Sequence, residues 1–438
     1  MATKTLNPQR ALTRDERRVL AGTLVGTTIE WYDFFIYAQA AGLVFAQLYF
    51  APMGQEGGVW PQMVAWASLG VSFLFRPLGA VVAGYLGDRF GRKGVLIFTL
   101  VLMGTATSLI GLLPTYEQWG ITAPLLLILM RIIQGISAGG EWGGAVLMAV
   151  EHAPTHRRGF FGAYPQIGVP AGMVLATFIV FVVTSLTTDE QFLAWGWRVT
   201  FLLSLVLIVI GYFIRRAVSE SPVFEEMVAL KHESATPLKT LFKNDSKNIV
   251  LAALSHIGSS ASGYLFIAFF SSYAIRTHGM DQSRVLLAST FAALFWLAFT
   301  LYGGSVSDRI GRTKALRIGY TIMFVWMIPL VLLIDTGNIW LYALGLVVFT
   351  IGNGLTYGPL SAMYAELFPA RVRYSGISIS YAIGAVFGGA FAPMIAESLL
   401  GSTGSSLSIA LYIMVLFVAS YIGTSLIKEP RGAELRAR

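Results

Sequence analysis

The stretch Gly87-Asp-Arg-Phe-Gly-Arg-Lys93 returns half a chain later as Ser307-Asp-Arg-Ile-Gly-Arg-Thr313, each time in a short basic gap between two apolar spans. Asp88 and Asp308 stand 220 positions apart in a chain of 438. A second pattern keeps nearly the same offset: Glu151-x-x-Pro154-x-x-x-Arg158 recurs as Glu366-x-x-Pro369-x-x-x-Arg373, a shift of 215. Two unrelated patterns with almost one offset mark an internal duplication, and parallel halves related by an axis along the membrane normal are a plan of membrane transporters. The chain therefore reads as two homologous halves.

Composition says what surrounds those halves. Hydrophobic residues make up 55% and charged residues 12%, against about a quarter charged in a soluble domain, so the solvent for most of the chain is lipid. With no cysteine there is no disulfide or thiol chemistry. No Cys/His cluster or carboxylate–histidine spacing points to a metal, and no cofactor is implied. A nucleophile–base pair is also missing, and the glycine-rich loops do not follow a strand, which argues against an enzyme. The net charge of +8 raises nucleic acid as a partner, but the cations sit in alternate short loops and not on one face of a soluble fold.

Apolar windows of about 20 residues, long enough to cross the hydrocarbon core as helices, fall near 20–44, 62–86, 94–113, 122–150, 160–184 and 199–214. Six more fall near 249–275, 285–306, 315–334, 339–363, 374–396 and 405–427. The expected fold is an all-α membrane protein, with twelve transmembrane helices in two pseudo-symmetric six-helix bundles. A tail, 1–18, precedes the first bundle, 19–217; a polar loop, 218–248, leads to the second, 249–427, and a tail, 428–438, ends the chain. The basic N-terminus runs straight into an apolar span with no small-residue cleavage site, so that span reads as retained. Placing both termini on one side gathers 26 of the 31 cations there, Arg215 and Arg216 counted with the central loop. The other side receives Arg198, Arg276 and Arg284, while Arg76 and Arg131 lie inside spans. Both termini are then cytoplasmic, and the cell inner (cytoplasmic) membrane is the expected location.

The Gly-Asp-Arg-x-Gly-Arg pattern resembles the signature of the major facilitator superfamily, and span count, central loop and repeat extend the resemblance over the whole chain. It implies the major facilitator fold. By that resemblance Asp88, Arg92, Glu151 and Arg158, with Asp308, Arg312, Glu366 and Arg373, form a breakable cytoplasmic gate. The aspartates would accept charge-assisted bonds from backbone donors or arginines across the interface between halves, only while that face is shut. The plainer reading is a set of positive-inside charges with turn glycines.

In the first span, Glu30-Trp-Tyr-Asp33 places two carboxylates on one helical face. Each would cost about 2.5–3.5 kcal/mol at the bilayer centre unless paired or protonated. At about 1.5 Å per residue, Asp33 lies at a depth similar to that of Arg131, which descends from the opposite side, so a pair across the first and fourth spans is expected. Arg131-Ile-Ile-Gln134-Gly135, Gly139-Gly-Glu141-Trp-Gly-Gly144 and Phe75-Arg76-Pro77 narrow the resemblance to the metabolite:proton symporter family. That family imports small metabolites such as citrate, α-ketoglutarate, shikimate, proline and betaine on the proton gradient. Glu30, Asp33, Arg131 and Glu141 become the proton-coupling candidates; a static buried ion pair, or for Glu141 a tie between helices, is the alternative.

Substrate contacts are expected from Arg76, whose guanidinium suits a carboxylate, and from His256 in the polar seventh-span stretch Ser255-His256-x-x-Ser259-Ser260-x-Ser262. Tyr32, Gln166, Asn353 and Tyr357 follow. The last three stand beside helix breakers, Pro165 and Pro170 in the fifth span and Pro359 in the tenth, where a broken helix would line a site. Gly140 and Gly144 mark a close helix crossing. The function expected is a monomeric, proton-coupled importer of a small polar metabolite, an organic acid of shikimate or di- or tricarboxylate type. An osmolyte symporter is the alternative within the fold, and a non-transporting sensor the alternative outside it.

Overall fold

Lipid offers no partner to backbone N–H and C=O groups, so each apolar window has to close its own hydrogen bonds as a helix. The computed structural model describes residues 12–50, 60–230 and 237–435. The first eleven residues, Lys231 and the last three residues, all part of the topology argument, lie outside the described residues. The first bundle comprises α1 (Arg14–Ala40), α2 (Trp60–Phe90), α3 (Arg92–Leu112), α4 (Thr122–Glu151), α5 (Arg158–Leu186) and α6 (Trp197–Arg216). Two short helices, α7 (Pro222–Ala229) and α8 (Pro237–Asn244), occupy the connector. The second bundle comprises α9 (Ser246–Tyr264), α10 (Gln282–Ile310), α11 (Arg312–Asp335), α12 (Ile339–Tyr357), α13 (Arg373–Ala385) and α14 (Ser406–Leu426).

Eleven spans among the described residues are long and apolar enough to cross a membrane. The remaining helix of the twelve is α1, whose apolar character is diluted by Thr23, Thr27, Glu30 and Asp33. All four are buried, so α1 turns its polar groups into the bundle and is held by packing against α5 and α6. In the connector, Ser221 accepts the Phe224 N–H and Pro222 fills the first helical position, which is enough to start α7 where the polar sequence had suggested only a link.

The expected breaks occur differently. The fifth span does not break: α5 runs as one helix through Pro165 and Pro170, as prolines in membrane helices can where other helices pack around them. The tenth span does break, at Gly358-Pro359, and resumes over Leu360–Leu367. The seventh and eleventh spans widen into π-helical turns at Leu265–Phe269 and Val386–Ala390, then continue as Phe270–His278 and Ala392–Thr403. Wide turns of this kind insert a residue and rotate the helix faces beyond them.

The two halves meet along α2 against α13 and α5 against α10. Gly159 of α5 and Gly304 of α10 lie face to face, and a Cβ on either would strike the other's carbonyl oxygen. The duplicated motif is structurally duplicated too. Gly91 and Gly311 adopt φ of 106° and 105°, a conformation that L side chains rarely enter, and turn the chain sharply between α2 and α3 and between α10 and α11. Gly311→Ala should therefore lower stability by about 1–3 kcal/mol. Gly94→Ala, whose added Cβ meets nothing within 4 Å, should be near neutral; thermal melts of the two variants in detergent check the contrast.

Candidate functional site

The first helical turn leaves N–H groups without intrahelical partners, and a carboxylate there is favoured by both hydrogen bonding and the helix dipole. Of the helices that start on the face where both tails emerge, α3, α5, α11 and α13 have no cap from their own N-cap side chain. Their carboxylates come from elsewhere. Asp88, at the end of α2, accepts the Tyr374 N–H (3.0 Å), the Ser375 N–H (3.0 Å) and the Ser375 hydroxyl (2.7 Å) at the start of α13. Asp308, at the end of α10, accepts the Gly159 and Phe160 N–H groups at 2.8 and 2.9 Å at the start of α5. Each aspartate thus caps a helix of the opposite half.

Two mirrored charge clusters surround these caps. Glu151 is 3.5 Å from Arg92 of its own half and 2.9 Å from Arg373 of the other. Glu366 is 3.0 Å from Arg312 of its own half and 3.2 Å from Arg158 of the other. Arg312 also bonds Asp308 at 2.7 Å. All eight residues that the resemblance implied for a gate are therefore brought together on one face, nearly all of them buried.

Sequence reasoning missed the two remaining caps. Glu220, before α7, accepts the Arg92 and Lys93 N–H groups at 3.1 Å. Glu429, after α14, accepts the Arg312 and Thr313 N–H groups at 2.9 and 3.0 Å and the Thr313 hydroxyl at 2.7 Å. A glutamate close to a proline just past the last span of each half, Glu220 with Pro222 and Glu429 with Pro430, was the available signal. Beyond Glu429 the chain lies on the clusters: Arg158 donates to the Ala433 carbonyl (2.6 Å), Arg373 to the Leu435 carbonyl (3.2 Å), and the Gly432 N–H to Glu366 (3.3 Å).

At mid-depth in the first bundle, Asp33 and Arg131 are both fully buried but do not form the direct pair expected from their depth. Thr107 and Gln134 stand between them. Asp33 takes hydroxyl bonds from Thr107 (2.7 Å) and Ser204 (2.5 Å). Arg131 is held by Gln134 (2.7 Å), Ser72 (2.8 Å) and the face of Tyr37, 3.9 Å from the ring centroid. Glu141 is paired with Arg215, and Thr99 donates to it at 2.8 Å. Arg215, counted with the loop cations from sequence, is a buried residue of the last turn of α6, so this pair ties α4 to α6. Glu30 is buried and lies within electrostatic reach of Arg76, Glu141 and Arg215.

Between the halves lies a narrow cavity walled by Trp31, Tyr264, Trp296, Tyr357 and Tyr381. Tyr381 is stacked between Trp142 (3.7 Å) and His256 (4.5 Å). Both ring nitrogens of His256, the Ser260 hydroxyl and the Trp296 indole N–H belong to lining residues and are buried without a hydrogen-bond partner. Arg76 donates to the hydroxyl of Tyr264 at 3.3 Å, spreads over Phe73 at 4.4 Å, and leaves its Nε unpaired. Of the other substrate candidates, His256 and Tyr357 line the cavity. Gln166 joins the halves beside it, accepting from Trp142 (2.6 Å) and donating to the Tyr357 carbonyl (2.9 Å). Asn353 accepts from Ser262 at 3.1 Å, and Tyr32 is turned away, donating to the Thr200 carbonyl at 2.6 Å. Trp31, Tyr264, Trp296 and Tyr381 went unnoticed in the sequence because aromatics are spread through every span.

The sequence profile described as Major Facilitator Superfamily matches residues 33–393. The chain belongs to that superfamily. It is 37% identical over 424 residues to the inner membrane metabolite transport protein YhjE of Escherichia coli (strain K12), covering 95% of each chain. It is 33% identical over 423 residues to the shikimate transporter of the same organism, again covering 95% of each. Among solved structures it is similar to the proton:xylose symporter XylE bound to 6-bromo-6-deoxy-D-glucose, with a TM-score of 0.80, 17% identity and coverage of 96% of this chain and 98% of that one. The superfamily member described here is thus a multi-pass membrane transporter and not an enzyme, and its relatives agree with the metabolite-symporter resemblance.

Partial burial would raise the pKa of the Glu429 carboxyl, but the bonds from Thr313 and from the Arg312, Thr313 and Arg431 backbones outweigh it and hold the group below the usual carboxylate range. A depressed pKa means that this contribution is intact at neutral pH and is lost only as the pH falls through the depressed value. Glu429→Ala should speed amide exchange at Arg312 and Thr313 by about five-fold, as for a lost cap of ~1 kcal/mol. In the unsubstituted protein the same protection should persist as the pH is lowered to the ordinary carboxylate pKa and fail below it.

Proposed function

We propose that this transporter imports a small organic acid together with protons, by alternating access, as a monomer in the inner membrane with both termini cytoplasmic. The observation that carries the reading is the cavity between the halves. Unpaired buried polar atoms require partners, and here the lining residues His256, Ser260 and Trp296 carry such atoms around one aromatic-walled space whose Tyr264 is bonded to Arg76. A compact ring bearing hydroxyls and one carboxylate fits that chemistry: the rings stack on it, the polar atoms reach its hydroxyls and Arg76 its charge. The likeness to a relative named as a shikimate transporter supports the same class. Aromatic walls also suit a quaternary ammonium such as betaine, which makes an osmolyte the second reading; the cationic Arg76 weighs against it.

Proton coupling is supported by the buried acids Glu30 and Asp33 of α1, the helix whose Trp31 walls that cavity. An acid enclosed by protein is stable only when protonated or well hydrogen-bonded, so its proton occupancy is tied to the conformation around it. The face carrying Asp88 and Asp308 serves as the cytoplasmic gate, since its cross-caps exist only when the halves touch there.

Counterflow in proteoliposomes against shikimate, dicarboxylates, citrate, aromatic acids and betaine tests the substrate class. Exchange is expected with the cyclic hydroxy acid, and exchange with betaine alone would overturn the organic-acid reading. Imposing an inward proton gradient should drive accumulation that a protonophore abolishes. Asp33→Asn should lose that accumulation and retain substrate exchange; accumulation with an unchanged pH dependence would remove Asp33 from coupling.

A further inference from the structure

We infer that Thr107 and Gln134 are positioning residues that transmit the protonation state of Asp33 to Arg131, an inference that rests on the proton-coupling reading above. Asp33 of α1 and Arg131 of α4 are not in contact, so any communication between them has to pass through what lies between. A single unbroken path does so: Arg131 to Gln134 at 2.7 Å, Gln134 to Thr107 at 2.7 Å, and Thr107 to Asp33 at 2.7 Å.

Donor and acceptor chemistry fixes the direction of every link. Arginine only donates, so the Gln134 oxygen must face Arg131, which turns the Gln134 amide nitrogen toward Thr107. The Thr107 oxygen then accepts from Gln134 and keeps one proton to give. Two acceptors compete for that proton, the Asp33 carboxylate at 2.7 Å and the Met103 carbonyl at 3.0 Å. An ionised Asp33 takes it, because hydrogen bonds to a charged partner are stronger. When Asp33 carries a proton, its own O–H can donate to Thr107, and the Thr107 hydroxyl rotates to Met103. No bond needs to lengthen: the Thr107–Asp33 link reverses, while the Gln134–Thr107 and Arg131–Gln134 bonds keep their direction and weaken, because a Thr107 oxygen that also accepts from Asp33 is a poorer acceptor for Gln134.

The far end of the path controls a helix contact. Besides Gln134, Arg131 donates to the Ser68 and Leu69 carbonyls and to the Ser72 hydroxyl of α2. The strength with which Gln134 holds Arg131 thereby biases how α4 engages α2, the helix that carries Arg76 and, near its end, Asp88.

Among the described residues, this path is the one hydrogen-bonded connection between the two charges. Glu30 and Tyr32 of α1 act on Asp33 only through space. Tyr37 of α1 and Arg76 of α2 act on Arg131. Glu141 of α4 and Arg215 of α6 are paired with each other.

Thr107→Val keeps the shape of the side chain and deletes the hydroxyl, whereas Thr107→Ser keeps the hydroxyl. Proton-driven accumulation, equilibrium exchange and the pH profile of uptake are measured for both in proteoliposomes with the exchanged acid identified by counterflow. Thr107→Val should lose accumulation by about ten-fold or more, the size of a lost hydrogen bond to a charged group, with exchange retained and the pH profile flattened. Thr107→Ser should restore accumulation to within about two-fold of the unsubstituted protein. Accumulation by Thr107→Val with an unchanged pH profile overturns the inference. Should Thr107→Val fail to fold, Gln134→Met makes the same cut and is held to the same outcomes. If the unsubstituted protein shows exchange but no proton-driven accumulation, the coupling reading itself falls, a result distinct from failure of the relay.

Discussion

Four helix starts that cannot cap themselves govern the closed face of this protein. Glu220 and Glu429 cap α3 and α11 from within the same half, so those caps persist through any movement of one half against the other. Asp88 and Asp308 cap α13 and α5 from the opposite half, so those caps last only while the halves meet. Opening replaces them with water and does not leave bare N–H groups, which keeps the difference between states small. A cap is worth about 1 kcal/mol, so two caps bias the equilibrium by ~2 kcal/mol, within reach of what substrate and proton binding can offset. The Glu151 and Glu366 clusters act in the same direction, each joining an arginine of its own half to one from the other.

The chemistry is divided by depth. Charges that hold the face shut lie at the ends of α2, α4 and α10, and the polar cavity lies between the bundles. The buried acids of α1 sit inside the first bundle, with Trp31 on the same helix reaching the cavity wall. Glu141, paired with Arg215, links α4 to α6 and leaves Asp33 and Glu30 as the acids without an arginine in direct contact. The buried acids inside the first bundle thus stand in two different settings, Glu141 locked to Arg215, and Glu30 and Asp33 with no arginine in direct contact.

Much of this was legible in the sequence because duplication supplies its own control. A motif that occurs twice at one offset must occupy equivalent places, and this identified Asp88, Asp308 and their charged neighbours before any helix was placed. The single-copy features were harder to read. Glu220 and Glu429 looked like ordinary charges past a span, and Arg215 like a loop cation, because the end of an apolar window does not say where a helix ends. The direct pairing of Asp33 with Arg131 followed from depth alone, and depth ignores rotation about the helix axis. That rotation places Thr107 and Gln134 between them, turns Tyr32 onto Thr200 and brings Trp31 to the cavity. Spans that are apolar on every side carry too weak a pattern to reveal it, and the wide turns at Leu265–Phe269 and Val386–Ala390 rotate the faces further.

Caps formed across the halves hold this face shut. The chain has no cysteine, so spin labels at Phe90→Cys and Ile310→Cys, exposed positions at the ends of α2 and α10, report the distance across the face without background. Electron-spin distance measurements on this pair should give one short population in the unsubstituted background. In the Asp88→Asn, Asp308→Asn background a longer population should grow by about thirty-fold relative to the short one, as expected for ~2 kcal/mol of lost capping. An unchanged distance distribution after both aspartates are neutralised would contradict the account.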